Sequence, residues 1–145
     1  MDIQIMDEKD LTACAILFMD VFNQAPWNED WTLGKAVERL TDLFFTPKFF
    51  GIVCYYDYKL IGFAAGNRKV SSQEEMYYLA EFCVRKKNQG TGNGTILLKA
   101  LEEELITRKI NNLYLLTAAK SEAEVFYQRN GYTVNNKRVI LKKNL

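Results

Sequence analysis

Residues 82–98, Phe82-Cys83-Val84-Arg85-Lys86-Lys87-Asn88-Gln89-Gly90-Thr91-Gly92-Asn93-Gly94-Thr95-Ile96-Leu97-Leu98, decide how this chain is read. An apolar, aromatic run from Met76 ends at Val84, and glycines then stand at 90, 92 and 94. After them Ile96, Leu97, Ala100, Leu101 and Leu105 recur at three- and four-residue spacing toward Arg108. The pattern predicts a strand, a glycine loop and a helix in direct succession. Glycine admits dihedrals closed to other residues, so several backbone N–H groups and the positive end of the helix converge on one point that suits a phosphate. Two familiar phosphate loops do not fit. A P-loop needs Lys and then Ser or Thr after its last glycine, whereas Gly94 is followed by Thr95; the dinucleotide fingerprint needs a glycine at position 95.

Outward from the loop, the other elements follow from apolar spacing. Met1 to Met6 reads as a first strand, and Asp7 can cap the helix carried by Leu11, Cys14, Ala15, Phe18 and Phe22. Asn23 to Asp30 is a loop. Thr32 opens a second helix through Leu33, Ala36, Val37, Leu40 and Phe44, stopped by Pro47. Phe49 to Tyr56 and Lys59 to Ala65 form a hairpin around Asp57-Tyr58, although Tyr58 is a poor turn residue, and Ser71 to Glu75 makes another turn before Met76. Beyond the third helix, Asn112 to Thr117 is a short strand. Ser121-Glu122-Ala123-Glu124 has the form of a capping box for a fourth helix to Asn130, closed by Gly131. Tyr132 to Val134 and Arg138 to Leu141 read as two last strands. The order β-α-α-β-β-β-α-β-α-β-β describes a mixed α/β sheet fold.

The length, 145 residues, suits one domain spanning 1–145. Nineteen Lys and Arg against eighteen Asp and Glu leave a formal charge of +1, too little for a global grip on nucleic acid or an anionic membrane. There is no histidine, which excludes Ser-His and Cys-His nucleophile pairs, histidine-ligated metal and a histidine base. Cys14, Cys54 and Cys83 are odd in number, lack CxxC spacing and lie in apolar stretches, so buried free thiols in a reducing compartment are expected. With no signal-peptide pattern at Met1–Asp7 and no run near ~20 apolar residues, the expected location is cytoplasmic.

The glycine segment resembles motif A of the GNAT acetyltransferase superfamily, Gln/Arg-x-x-Gly-x-Gly/Ala, through Gln89, Gly92 and Gly94. Val84 stands where the family usually has a valine, Leu97-Leu98 matches its Leu-Leu pair, and Phe126-Tyr127-Gln128-Arg129-Asn130-Gly131-Tyr132 fits its Phe-Tyr-x-x-x-Gly-Phe/Tyr signature. The resemblance covers nearly the whole chain. It implies a mixed, mostly antiparallel central sheet flanked by about four helices, with acetyl-CoA as donor and no metal. It also implies cofactor contacts from Phe82, Cys83 and Val84 beside the pantetheine arm and from Gln89, Gly90, Thr91, Gly92, Asn93, Gly94 and Thr95 around the pyrophosphate. Two positions depart from the family: Lys86 replaces a frequent proline, and Lys120 replaces an asparagine that contacts the cofactor.

Acetyl transfer to an amine needs the amine neutral, the developing oxyanion stabilised and a proton for the leaving thiolate. Glu81, a carboxylate between Ala80 and Phe82 in an apolar strand, is a base candidate; pointing to solvent or binding the substrate ammonium are its alternatives. Tyr127 is the acid candidate, since a phenol near pKa 10 keeps its proton at neutral pH; packing on the face shared with Ala123 and Phe126 is the alternative. A backbone N–H within Phe82–Val84 suits the oxyanion. Cys83 lacks an activator, which favours direct transfer over an acetyl-enzyme. Trp27, Glu29, Asp30 and Trp31 could recognise a cation by ring faces and carboxylates, or the tryptophans could fasten their loop to the core.

The expected activity is transfer from acetyl-CoA to a primary amine of a small molecule: polyamine, aminoglycoside-like or amino-acid-like. A protein N-acetyltransferase or a non-catalytic acetyl-CoA-binding module are the alternatives. A homodimer is compatible with the sequence, and no nucleic-acid or membrane partner is expected.

Overall fold

In the computed structural model, which describes residues 1–145, backbone pairing assembles one five-stranded sheet in the order β1 (Asp2–Ile5), β2 (Phe49–Tyr56), β3 (Lys59–Lys69), β4 (Met76–Val84) and β5 (Asn112–Tyr114). The first four strands are mutually antiparallel and β5 lies parallel to β4. The expected mixed, mostly antiparallel sheet is therefore present. Helices α1 (Leu11–Phe22), α2 (Leu33–Phe44) and α3 (Asn93–Thr107) belong with the sheet in one compact unit, Met1–Leu115. A second unit, Leu116–Leu145, carries α4 (Glu122–Arg129).

Local chemistry accounts for the boundaries. Asp7 and Asp10 cap each other's backbone across the 3-10 turn Glu8–Asp10 that leads into α1. The Thr32 hydroxyl accepts from Lys35 N–H at 3.2 Å and starts α2. Asp57 and Tyr58 both take positive φ, 50° and 61°, as a two-residue hairpin turn demands, and the Tyr58 ring stays wholly in solvent.

Strand alternation then sets the two layers. Val53, Phe63, Ala65 and Cys83 join Cys14, Leu17, Phe18, Val21, Ala36 and Leu40 in one core beneath α1 and α2. On the opposite face Gly62 lies against Leu97 of α3, whose Leu98, Leu101 and Leu105 are also buried. Each such side chain contributes about 1.5–3 kcal/mol of burial.

One irregularity breaks the alternation. Ala65 pairs with Glu81 but Gly66 pairs with Leu79, so Ala80 is an extra residue, a β-bulge in β4. Cross-strand partners share a face, so Tyr77 and Leu79 go with Gly66 and Arg68 on the α3 side, while Glu81 and Cys83 go with Ala65 and Phe63 on the α1–α2 side. Unbroken alternation would have placed Glu81 with Tyr77. Gly66 permits the bulge because a Cβ there would stand 1.9 Å from Tyr78 O. Gly66→Ala should cost about 2 kcal/mol and lower Tm by about 6 °C, read by thermal melting; an unchanged Tm would detach the bulge from this glycine.

Other boundaries differ from the sequence reading. β3 runs to Lys69 rather than Ala65, and β5 stops at Tyr114 rather than Thr117. In α4 the Ser121 hydroxyl accepts from Glu124 N–H at 3.1 Å, but the Glu124 carboxylate reaches Lys120 N–H instead of completing the box at Ser121. Gly131, at φ 90°, ends α4 as expected: its N–H donates to Gln128 O and Tyr132 N–H to Tyr127 O, both at 3.0 Å.

The two last strands are a correction. Residues 132–134 and 138–141 form no strand. Tyr132 N–H is used in the helix cap, Lys137 N–H bonds the Asn135 side chain in a local turn, and Val139, Ile140 and Leu141 are exposed. Apolar residues favour a strand only where a neighbouring edge supplies a ladder, and here local turns use the donors instead.

Candidate active site

The end of β4 and the start of α3 supply backbone donors. β5 pairs only with Met76, Tyr77 and Tyr78, so from Leu79 to Val84 the outer edge of β4 has no strand beside it. Arg85 N–H donates to Ile61 O at 2.7 Å. Alternation therefore turns Cys83 N–H toward β3, and turns Phe82 and Val84 N–H toward the strandless edge.

The loop that follows is tied by its own side chains. The Gln89 amide donates to Val84 O at 2.8 Å, and the Asn93 amide donates to Asn88 O at 3.0 Å and to the Thr91 hydroxyl at 2.9 Å. Gly90 and Gly92 sit at φ 74° and 87°, which a Cβ would strain. Gly92 caps α3 without a side-chain acceptor, and Ile96 N–H is the first to bond within the helix, to Gly92 O at 3.0 Å. The Asn93, Gly94 and Thr95 N–H groups are thus left at the positive end of a fifteen-residue helix. Of the adjacent cations, Arg85 is spent on Leu60 O (3.2 and 2.9 Å) and Lys86 on Ala25 O (2.7 Å). A cleft of about 250 Å³ beside them is lined by Lys59 and Lys87 as well.

Across the α1–α2 face stands a second group of side chains. The bulge presents Glu81, 8% exposed, to Arg39 of α2, whose Nε donates to Glu81 Oε1 at 2.6 Å. Burial pushes the Glu81 carboxyl above the usual carboxylate range, Arg39 draws it part of the way back, and Glu29 adds a further push upward. The Arg39 guanidinium carbon lies 5.3 Å from the centre of the Trp31 ring and 5.9 Å from that of Phe18. Trp31 is fixed by Asn23, which exchanges bonds with its N–H and C=O at 2.7 and 2.9 Å, and its indole N–H donates to Glu29 Oε1 at 2.9 Å. Trp31 also packs edge-on against Phe18 at 4.8 Å, while Trp27 tilts against Phe22 at 5.5 Å. Both tryptophans fasten the loop, whereas Asp30 is exposed.

Arg39 was not among the residues singled out from sequence. It stands on the exposed flank of α2 beside buried Leu40, where a charge is unremarkable, so no sequence pattern marks it.

Cys83 is inward-facing and 2% exposed, with Sγ 3.9 Å from Leu17 O. Burial, first of all, holds its thiol well above the ordinary cysteine range. In the second unit Tyr127 is half-buried on α4, its ring 5.2 Å from Phe126 and 5.6 Å from Tyr132 in edge-on contacts.

The acetyltransferase (GNAT) domain model matches residues 28–143. This chain belongs to the GNAT acetyltransferase family. Solved structures agree on the fold. An integron cassette protein from the mobile metagenome of V. cholerae aligns with TM-score 0.81 at 17% identity, over 99% of this chain and 91% of that one. A possible acetyltransferase from Clostridium difficile 630 gives 0.83 at 11%, over 99% and 97%. An aminoglycoside acetyltransferase from an uncultured soil metagenomic sample, in complex with sisomicin, gives 0.74 at 17%, over 99% and 95%. No curated protein matches this chain in sequence. As a GNAT domain it carries the glycine loop, the strand edge and the helix N-terminus within one continuous stretch, residues 79–95. No helix is long and apolar enough to cross a membrane, and no cluster of His, Cys, Asp and Glu could hold a metal ion.

Proposed function

We propose that residues 1–145 act as one N-acetyltransferase domain that moves an acetyl group from acetyl-CoA directly to a primary amine of a small molecule, in a ternary complex. The observation that carries this reading is the set of uncapped N–H groups of Asn93, Gly94 and Thr95, which follow directly on the strandless edge of β4 at Val84. The fit to acetyl-CoA rests on the same feature. The loop offers donors to an anionic pyrophosphate, and Gly90 and Gly92 open onto free space. Gly90–Thr95 would hold the pyrophosphate and Phe82 and Val84 the pantetheine arm, with Gln89 bracing the loop; Cys83, turned toward β3 and buried, drops out of the expected cofactor contacts. Bound acetyl-CoA supplies an activated thioester.

The chain's own groups then divide the proton work. Glu81 takes the proton of the acceptor ammonium, directly or through water, and its raised pKa suits that task. Phe82 or Val84 N–H stabilises negative charge on the carbonyl oxygen. The Tyr127 hydroxyl holds the proton that the departing sulfur needs. The buried, high-pKa Cys83 thiol speaks for direct transfer.

Release of free thiol from acetyl-CoA across an amine panel tests the reading; acetyl-CoA binding without turnover on any amine would instead support a sensing module. The carboxylate form of Glu81 grows as pH rises, so kcat should climb through a pKa above the ordinary glutamate range. Glu81→Gln should remove that acid limb and lower kcat about 10²-fold. An unchanged profile would exclude Glu81 as the base.

A further inference from the structure

We propose that Arg39 binds a carboxylate of the acceptor, so that the acceptor is an amine that also carries a carboxylate: an α-amino acid or a close analogue. This deepens, and rests on, the reading of the chain as an N-acetyltransferase. The features that would recognise a free cation in this site are the Trp31 ring and the buried Glu81 carboxylate. Arg39 already occupies both, at 5.3 Å from the ring centre and 2.6 Å from Glu81 Oε1. An incoming acceptor therefore meets a guanidinium rather than an empty anionic cage.

The guanidinium is built to be met. Glu81 engages Nε, leaving the four N–H donors of Nη1 and Nη2 outside that ion pair, and the Arg39 side chain is 51% exposed. Its position is set by the bond to Glu81 and by the neighbouring Trp31 and Phe18 rings, 5.3 and 5.9 Å from the guanidinium carbon, with Trp31 itself fixed by Asn23 and Glu29. A planar fork held in place by other side chains is the group best matched to a carboxylate, which it can bind through two parallel N–H donors.

The amine would then lie on the correct side. In an α-amino acid the nitrogen and the carboxyl carbon are about 2.5 Å apart, from standard bond lengths and angle. A carboxylate on Arg39 thus leaves the amine within reach of Glu81, with Glu29 as a second carboxylate nearby. One guanidinium beside two carboxyl groups complements a zwitterion. It is a poorer match to a polyamine, which brings only positive charge.

Matched pairs test this: L-phenylalanine against phenethylamine, and L-lysine against 1,5-diaminopentane, each with acetyl-CoA. The carboxylated member should lead in kcat/KM by about tenfold or more. Arg39→Gln should erase the lead by raising KM for the carboxylated member more than for its partner, any change in kcat through the loss of the Glu81 ion pair falling on both alike, and Arg39→Lys should keep part of it. Equal or better use of the decarboxylated amines, unaffected by Arg39→Gln, would overturn the carboxylate site while leaving acetyl transfer intact.

A second readout needs no turnover. In a Trp27→Phe background the fluorescence of Trp31, which Arg39 overlies, should respond saturably to L-phenylalanine and not to phenethylamine, and Arg39→Gln should abolish the response. Saturable binding without acetylation of any amine would uphold the site and sink the acetyltransfer reading; no response in the folded parent would overturn the site. If Arg39→Gln melts because Glu81 loses its partner, Arg39→Gln/Glu81→Gln compared with Glu81→Gln alone carries the same binding test without the uncompensated charge.

Discussion

Gly92→Asp weakens acetyl-CoA binding on the order of 100-fold, because two costs fall on one residue. Gly92 holds φ 87° at the cap of α3, and a side chain there is strained by about 1–2 kcal/mol. The substitution also sets a carboxylate among the N–H donors proposed to receive the pyrophosphate, where like charges repel. Nothing lies within 4 Å of a Cβ at this position, so the loss would not come from collision with the rest of the protein. Calorimetric titration with acetyl-CoA measures the effect, and a melting curve checks that the exposed loop has not unfolded the chain. Gly92→Ala separates the two causes, since it keeps the strain without the charge and should lose about tenfold. Wild-type affinity in Gly92→Asp would remove the glycine loop from the cofactor site.

The loop was legible in sequence because its physics is local. Strand end, positive-φ glycines and helix start follow one another within residues 82–98, and each is encoded by the residues that adopt it. Gly131 was legible for the same reason. Glu81 was half legible: an isolated carboxylate in an apolar strand is visible, but the face it occupies depends on the bulge at Ala80. That bulge is allowed by Gly66 on the neighbouring strand, where only the pairing register brings Tyr78 O close. Arg39 escaped because a charge on an exposed flank of α2 is unremarkable in sequence, and the buried carboxylate that gives it a role lies forty-two positions away. The last strands failed for the converse reason. Alternation over three or four residues states a preference, and a preference becomes a strand only where an open edge meets it.

Tyr127→Phe lowers kcat by about 10²–10⁴-fold and leaves acetyl-CoA affinity within about threefold. The basis is the Phe126-Tyr127 signature shared with the family, in which this tyrosine is commonly the acid, together with the absence of any histidine that could do the same work. The substitution removes one oxygen and keeps the ring, so the edge-on contacts at 5.2 and 5.6 Å with Phe126 and Tyr132 survive. The carbonyl of residue 127 also stays in place, because it accepts from Tyr132 N–H at 3.0 Å in the turn closed by Gly131. A loss of kcat without a change in Tm or cofactor binding would therefore be chemical in origin. Tyr132→Phe is the control: it deletes a phenol from the same aromatic group and should leave kcat within about twofold, because no proton transfer is assigned to it. If both variants slow the reaction equally, packing of the aromatic group rather than proton donation is responsible. If Tyr127→Phe turns over at the wild-type rate, the sulfur takes its proton from water, and the catalytic part of the site reduces to Glu81 and the backbone donors of β4.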